Sequence, residues 1–394
     1  MSAARREQPE QPVHAITNRH YAGREELMML LEGKAAVVTG SGRGIGRSVA
    51  GLFARHGAGV VVNDLDEEVA RQALEEIRAD GGRAVACHGS VTDDDFAGRL
   101  VGAALGIAAG LCEVVLITYG SSLWSDRSAL VGQGGVDPRM PAAQFEMPYG
   151  DLSPIAAYAL AAARHMHEYG TTAEQLAEVA VSTRQWATLN PRALLREPLT
   201  VADVVQSPMV ASPLHKLDCC LMTDGGGAVV VTSAERARDL RRPPVYLLGS
   251  GFGSSHLTIS QMDDLTTTAA VTSGRRAFQT AGVTPADIDL VEVYDSFTIS
   301  VVLALEDLGF CEKGEGGRFV QGGRLAPGGE LPTDTSGGGL SYTHPGALGI
   351  FLIIEAVRQL RGECSERQVP DAELALVHGI GGWLSAHATL ILGR

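Results

Sequence analysis

The chain has 394 residues, of which 45% are apolar and 48 are glycine. It is therefore long enough to bury a large core and is expected to contain many tight turns. Its net charge of -14 would repel a nucleic-acid backbone or an anionic membrane surface. No apolar run approaches the roughly 20 residues of a membrane span. These values exclude nucleic-acid and membrane partners and favour a small-molecule partner.

Residues 1–30 are polar and rich in Gln, Pro and Arg, and they lack the apolar segment of a signal peptide. This composition predicts a disordered leader. The six cysteines include no C-x-x-C pair, so neither a disulfide framework nor a metal site is predicted. A reducing, cytoplasmic location fits this cysteine usage.

The first folded segment begins near Lys34 with a strand, a Gly-rich turn, a helix and a second strand. Gly40, Gly44 and Gly46 lie in the turn, where missing side chains let backbone N–H groups approach a pyrophosphate. Asp64 ends the second strand, where a carboxylate can accept from a ribose 2′-hydroxyl. The pattern predicts a dinucleotide turn that prefers NAD to NADP.

This segment resembles the short-chain dehydrogenase/reductase family over residues 31–105, because residues 39–46 match its Thr-Gly-x-x-x-Gly-Ile-Gly motif. Two features depart from the family. Ser90 replaces the acid that meets the adenine, and no tyrosine has a lysine four residues later, as the catalytic Tyr-x-x-x-Lys pair requires. At most weak NAD binding is expected, without hydride transfer.

Residues 106–394 resemble the thiolase superfamily, in particular its lipid-transfer branch, which includes carbon–carbon lyases acting on acyl-CoA. Three blocks carry the resemblance: residues 294–297 (YDSF), the Gly-rich and His-Pro block at residues 337–347, and the Gly-rich turn at residues 379–382. The predicted fold class is α/β, with a Rossmann-like βαβ fragment joined to a truncated thiolase-like fold that lacks its own N-terminal strands. A parallel sheet could run through the junction near residues 105 and 106.

Both cysteines of condensing thiolases are missing at the positions that the resemblance implies. The nucleophile position is Asp93, and Gly379 replaces the acid/base cysteine. Cys87 is out of register, and Cys219 and Cys220 are interpreted as core residues. Chemistry through an acyl-enzyme is therefore not expected.

The resemblance implies a catalytic set of His344, Tyr294, Tyr342 and Asp295. An imidazole near its usual pKa can move a proton, and a tyrosine can act as an acid/base group or donate to an oxyanion. Three structural alternatives remain open. His344 and the proline after it could cap a helix, Tyr294 could be a half-buried aromatic residue, and Asp295 could cap the following helix.

The backbone N–H groups of Gly379 and Gly381 are predicted to complete an oxyanion site. The leading function is retro-aldol cleavage of a lipid- or steroid-derived β-hydroxyacyl-CoA, with the coenzyme A thioester as substrate. The branch also implies a small OB-fold partner and a homo-oligomer. Two alternatives are an NAD-binding fragment and an inactive hybrid or interaction subunit.

Overall fold

A computed structural model describes residues 31, 35–38, 41–64, 67–88, 114–125, 138–150 and 154–394. The predicted leader and the junction near residues 105 and 106 lie outside these residues. The described strands, in chain order, are β1 (Ala35–Val38), β2 (Gly59–Asp64), β3 (Arg83–His88), β4 (Val114–Ser121), β5 (Met209–Ala211), β6 (Leu214–His215), β7 (Gly225–Thr232), β8 (Tyr246–Ser254), β9 (Leu290–Val293), β10 (Leu374–Gly381) and β11 (Ala386–Gly393).

The described α-helices, in chain order, are α1 (Gly44–Arg55), α2 (Glu67–Ala79), α3 (Pro154–Tyr169), α4 (Ala173–Thr188), α5 (Val201–Gln206), α6 (Ala234–Arg238), α7 (Ala270–Ala281), α8 (Thr298–Asp307), α9 (Gly316–Phe319) and α10 (Gly349–Leu360). Within the described ranges, no helix is both long and apolar enough to cross a membrane.

The first segment forms a parallel sheet in the order β1-β2-β3, with α1 and α2 as its connections. Both helices bury small apolar residues, such as Ala50 and Ala73, against Val60 and Val62 of the central strand. The predicted βαβ unit is therefore present. β1 also lies against β4, the first described strand after the predicted junction.

β4 pairs with β7 in an antiparallel ladder that brings residues 114–121 opposite residues 225–232. Glycines in β7 let α10 pack directly onto this strand. A Cβ atom at Gly227 would lie only 2.8 Å from Ile354 and 3.3 Å from Ile350. The pair therefore connects the strand beside the first segment to the helix that follows His344.

The C-terminal sheet has the order β8-β11-β10-β9, with β10 parallel to β9 and antiparallel to β11. Every second residue of β8 from Gly249 to Gly253 is glycine. A Cβ atom at Gly251 would lie 2.0 Å from the Ser273 carbonyl oxygen, so these glycines allow α7 to lie against the strand backbone. α8 is buried along its whole length within the main core.

Candidate active site

The structure brings Tyr294 and His344 into direct contact. Tyr294 follows β9 immediately, and its N–H group donates to the carbonyl of His378 in β10 at 2.9 Å. Its hydroxyl lies 2.9 Å from His344 Nε2, and the two rings meet edge-on with centroids 5.6 Å apart. Two residues that are 50 positions apart in the chain thus form one hydrogen-bonded pair.

The backbone of His344 is held from the segment before β7. Its N–H group donates to Thr223 Oγ1 at 3.0 Å, and its carbonyl accepts from the Thr223 N–H group at 3.2 Å. The Thr223 hydroxyl also lies 2.8 Å from the Thr343 hydroxyl. These contacts hold the backbone of His344 in place and so restrict the position of its imidazole.

The helix-cap interpretation of the His-Pro pair is wrong. α10 begins at Gly349, and its N-cap is Leu348. Pro345 therefore precedes the first helical position by four residues. Pro345 and Gly346 instead form a loop between His344 and the helix, with Gly346 in the left-handed region at a φ of 94°.

Burial controls the charge of both groups in the pair. It lowers the pKa of His344 to about 4, against smaller raising contributions from the backbone of His344 and Leu221. Burial also raises the pKa of Tyr294 above its usual range. At neutral pH the imidazole and the phenol are therefore both neutral, and one hydrogen lies between the phenol oxygen and Nε2. His344 Nδ1 is buried and makes no hydrogen bond to the described residues.

Asp295 organises the Gly-rich loop that leads to His344. Its carboxylate is fully buried and accepts from the N–H groups of Gly339 at 2.6 Å and Leu340 at 3.0 Å. Burial raises the pKa of Asp295 to about 7, although these backbone donors oppose the shift. The N-cap of α8 is Phe297, so the interpretation of Asp295 as the cap of that helix is wrong.

Two further carboxyl groups lie buried near Asp295. Glu292 Oε1 accepts from the Thr335 hydroxyl at 2.7 Å, and Asp334 Oδ1 accepts from the Val293 N–H group at 2.8 Å. The second oxygen of each carboxyl group has no hydrogen-bond partner among the described residues. Burial raises the pKa of both groups well above the usual range, and neighbouring carboxyl groups, among them Asp295, raise both values further. Ionising this cluster therefore costs stability.

Replacing Glu292 with glutamine is expected to stabilise the fold relative to the wild type at alkaline pH. A carboxyl group whose folded pKa is raised stabilises the fold below its unfolded pKa of about 4, and this contribution is lost as the pH rises through the folded value. Glutamine keeps the acceptor for Thr335 and cannot ionise. Its advantage should grow between about pH 5 and pH 8.5 to at least about 1.4 kcal/mol, the equivalent of one pKa unit.

Urea unfolding at both pH values would measure the free energy of unfolding. All other titratable groups are the same in both proteins, so the difference between the two isolates Glu292. Glu312→Gln, at an exposed position, is the control. An advantage that stays constant with pH would contradict the prediction.

The remaining predicted site residues lie as follows. Tyr342 is half-buried in the turn at residues 338–342, and within the described residues its hydroxyl makes no hydrogen bond. Gly379 and Gly381 belong to β10, so the turn begins at Gly382 and not at Gly379 as the sequence suggested. A Cβ atom at Gly379 would meet nothing within 4 Å. Open space thus borders the strand next to Tyr294.

Two site residues were missed by sequence reasoning. Tyr119, in β4, donates from its hydroxyl to the carbonyl of Pro345 at 2.6 Å. Cys220 lies close enough to raise the pKa of Tyr294, while burial and the charge of Asp295 raise the pKa of its own thiol. The resulting thiol stays protonated, which makes it a poor nucleophile. Neither residue belongs to a local motif that could have indicated its position.

The Gly-rich turn of the first segment is described in part, because Gly40 lies outside the described residues. Gly44 and Gly46 begin α1, and Gly44 has a φ of 51°. The N–H group of Gly42 donates to Asp64 Oδ2 at 3.0 Å. The N-terminus of α1 has no side-chain cap, which fits a pyrophosphate, while Asp64 already contacts the turn. NAD binding stays a prediction.

In the part of the chain that the structure describes, no group of three His, Cys, Asp or Glu residues could hold a metal ion.

Two family models match the chain. One, described as thiolase C-terminal domain-like, matches residues 251–394, and one for short chain dehydrogenases matches residues 34–115. The chain is also 46% identical over 239 residues to an acetyl-CoA acetyltransferase of Methanothermobacter thermautotrophicus, covering 60% of this chain and 62% of that protein.

A second relative decides the family. The chain is 38% identical over 280 residues to the steroid side-chain-cleaving aldolase of Thermomonospora curvata, covering 67% of this chain and 70% of that protein. The chain belongs to the thiolase superfamily. The predicted fold class, a Rossmann-like fragment joined to a thiolase-like α/β fold, is confirmed.

One solved structure is similar to a larger share of this thiolase-superfamily chain than the two sequence relatives cover. It is the Ltp2-ChsH2(DUF35) aldolase, with a TM-score of 0.70, 33% identity, and coverage of 85% of this chain and 86% of that one. Residues 106–394 are about three quarters of the chain, so a superposition that covers 85% extends into the dehydrogenase-like segment.

Proposed function

We propose that this chain cleaves the Cα–Cβ bond of a β-hydroxyacyl-CoA by a retro-aldol reaction. The observation that carries the proposal is the part-buried contact between Tyr294 and His344. The resemblance aligns the two catalytic cysteines of condensing thiolases with Asp93 and Gly379 here. The Tyr294–His344 pair can move protons but cannot form an acyl-enzyme. Retro-aldol cleavage requires only proton movement and stabilisation of an enolate.

In the proposed reaction the Tyr294 oxygen takes the proton of the β-hydroxyl group while its own proton passes to His344 Nε2. The Cα–Cβ bond breaks, its electron pair forms the thioester enolate, and the β-carbon becomes a carbonyl. The proton then returns from the pair to Cα, which releases a shorter acyl-CoA. Burial keeps His344 neutral at pH 7, as a proton acceptor must be.

Donors to the enolate oxygen are proposed at two places. One is the end of β10, where open space borders Gly379 and where the backbone N–H groups of Gly379 and Gly381 are the proposed donors. The hydroxyl of Tyr342, two residues before His344, is the other candidate donor. Asp295 is proposed to act through the Gly-rich loop, because both of its oxygens bind backbone N–H groups of that loop.

The proposed substrate carries a lipid or steroid acyl group on coenzyme A. The support is the similarity to a steroid side-chain-cleaving aldolase. The similar solved structure, the Ltp2-ChsH2(DUF35) aldolase, is named for two proteins, and this supports a small partner for the present chain. We propose that the partner is an OB-fold protein that completes the substrate site. A homo-oligomer and the domain boundaries at residues 30 and 105 stay predictions.

One other activity is favoured by a specific observation, the 46% identity to an acetyl-CoA acetyltransferase. Claisen condensation through an acyl-enzyme needs a thiolate nucleophile. Here Cys220 is the thiol near Tyr294, and burial raises its pKa well above the usual range. The lyase reaction, which needs no thiolate, is therefore the better match.

The test is the release of a shorter acyl-CoA from a β-hydroxyacyl-CoA that carries a steroid or lipid side chain. Purified protein should be assayed alone and with a small OB-fold protein, with product separated by chromatography. Thiol alkylation before the assay should leave the rate unchanged. Absence of product under both conditions would favour the inactive-hybrid alternative, and a covalent acyl adduct on a cysteine would favour the acetyltransferase.

A further inference from the structure

Tyr119 lies on the strand in which the match to the short chain dehydrogenase model ends. The short chain dehydrogenase model ends at residue 115, inside β4, and Tyr119 follows on the same strand. β1 of the dehydrogenase-like segment lies against β4. Residues 114–121 of β4 also pair with β7. Tyr119 is therefore placed by both parts of the chain.

The hydroxyl of Tyr119 anchors the loop that carries His344. It donates to the carbonyl of Pro345 at 2.6 Å, a contact between residues 226 positions apart. Proline has no N–H group, so its backbone can be anchored only through this oxygen. The next residue, Gly346, has a φ of 94°, and a Cβ atom there would lie 3.2 Å from the Tyr119 hydroxyl. The phenol thus fits closely against a loop with a restricted conformation.

Three contacts together define the position of His344. Thr223 binds its backbone, Tyr294 binds its imidazole, and Tyr119 binds the carbonyl of the residue that follows it. Toward α10, the first two add only one long contact, of 3.5 Å, between the Tyr294 hydroxyl and the Gly346 carbonyl oxygen. Tyr119 supplies a closer constraint, and its own hydroxyl hydrogen is engaged by the Pro345 carbonyl.

We propose that Tyr119 is a positioning residue for His344, and that the dehydrogenase-like segment serves the site by supporting the strand that carries Tyr119. The proposal rests on the proposed function, in which His344 accepts the proton of Tyr294. It gives the first segment a role that does not require a bound nucleotide. Removing the hydroxyl would free the loop and misplace the imidazole without removing any group that contacts the substrate.

Tyr119→Phe tests this role, because phenylalanine keeps the ring and removes only the hydroxyl. We expect kcat for acyl-CoA release to fall by about 10-fold to 100-fold, the effect of a small misplacement of a catalytic group. KM should stay within about two-fold of the wild type, because uniform substrate binding is retained. Tyr149→Phe, at a position 87% exposed, is the matched control and should leave both constants unchanged.

A second measurement reads the position of His344 without turnover. The imidazole signal of His344, assigned by its loss in His344→Gln, should shift in the NMR spectrum of Tyr119→Phe and stay in place in Tyr149→Phe. An unchanged kcat, a rise in KM that accounts for the lost efficiency, or an unshifted imidazole signal would each overturn the positioning role. If the wild type releases no product, the proposed function fails, and the imidazole signal still decides whether Tyr119 positions His344.

Discussion

Replacing His344 with glutamine is expected to lower kcat for β-hydroxyacyl-CoA cleavage by about 10²-fold to 10⁴-fold, the range for a positioned acid/base group. Glutamine fills much of the same buried space and can still hydrogen-bond to Tyr294, but it cannot accept a proton at neutral pH. KM should change little, because the imidazole acts on a proton and not on the bulk of the substrate. Steady-state rates of acyl-CoA release measure the effect.

Two further variants test whether this loss of kcat comes from the Tyr294–His344 pair. Tyr294→Phe should also reduce kcat, because the imidazole then loses the hydroxyl that lies 2.9 Å from Nε2. His167→Gln replaces an exposed histidine of α3 and should leave the rate unchanged. If His344→Gln and Tyr294→Phe both turn over at the wild-type rate, neither residue takes part in the mechanism.

The largest expected effect on stability comes from the buried ion pair between Arg367 and Glu355. Arg367 Nε and Nη2 bind the two carboxylate oxygens at 2.8 and 3.0 Å, and both side chains are almost fully buried. Arg367→Leu would leave the Glu355 charge buried beside Glu292. It should lower the free energy of unfolding by about 3 kcal/mol, because Glu355 would keep only the long contact with Arg358 Nη1 at 3.9 Å and a poorly paired charge is costly in the interior.

A double variant separates the effect of the poorly paired charge from that of the lost packing. Arg367→Leu combined with Glu355→Leu should recover most of the stability, because apolar replacements of a buried ion pair are often neutral. Arg242→Leu is the control, since Arg242 pairs with Glu363 at 3.0 Å while its side chain is 72% exposed. That change should cost less than about 1 kcal/mol. Equal losses for Arg367→Leu and Arg242→Leu in urea unfolding would refute the argument.

The sequence was sufficient to name Tyr294 and His344 as candidates but not to predict their contact or their surroundings. Tyr294 and His344 each stand in a local motif, so their candidacy could be predicted without knowing the distance between them. The nearby Asp295 was also predicted, but its partners were not. Its hydrogen bonds to Gly339 and Leu340 depend on how two distant loops pack, and no local spacing encodes that packing.

Tyr119 is a clearer case of a residue whose role depends on distant packing and not on a local motif. Its hydrogen bond to Pro345 joins residues 226 positions apart and depends on the pairing of β4 with β7. On its own strand, Tyr119 looks like an ordinary aromatic residue at a position of high β-propensity. The buried contact of Glu292 with Thr335 was likewise unpredictable, because an acid in a short apolar strand gives no sign of its protonation state.

The parallel order β1-β2-β3, with β1 lying against β4, bears on how such chains can be assembled. Among the described residues, most contacts of the first segment with the rest of the chain are those of β1 and α1 with β4, so the joined parts need to agree mainly along this border. Right-handed crossovers are a general property of parallel βαβ units and do not depend on a particular sequence. Recombination at this border is therefore expected to exchange one nucleotide-type unit for another while the loops that carry Tyr294 and His344, encoded more than a hundred residues downstream, keep their own packing. β4 is accordingly a natural splice site for constructing chimeric enzymes from unrelated α/β families.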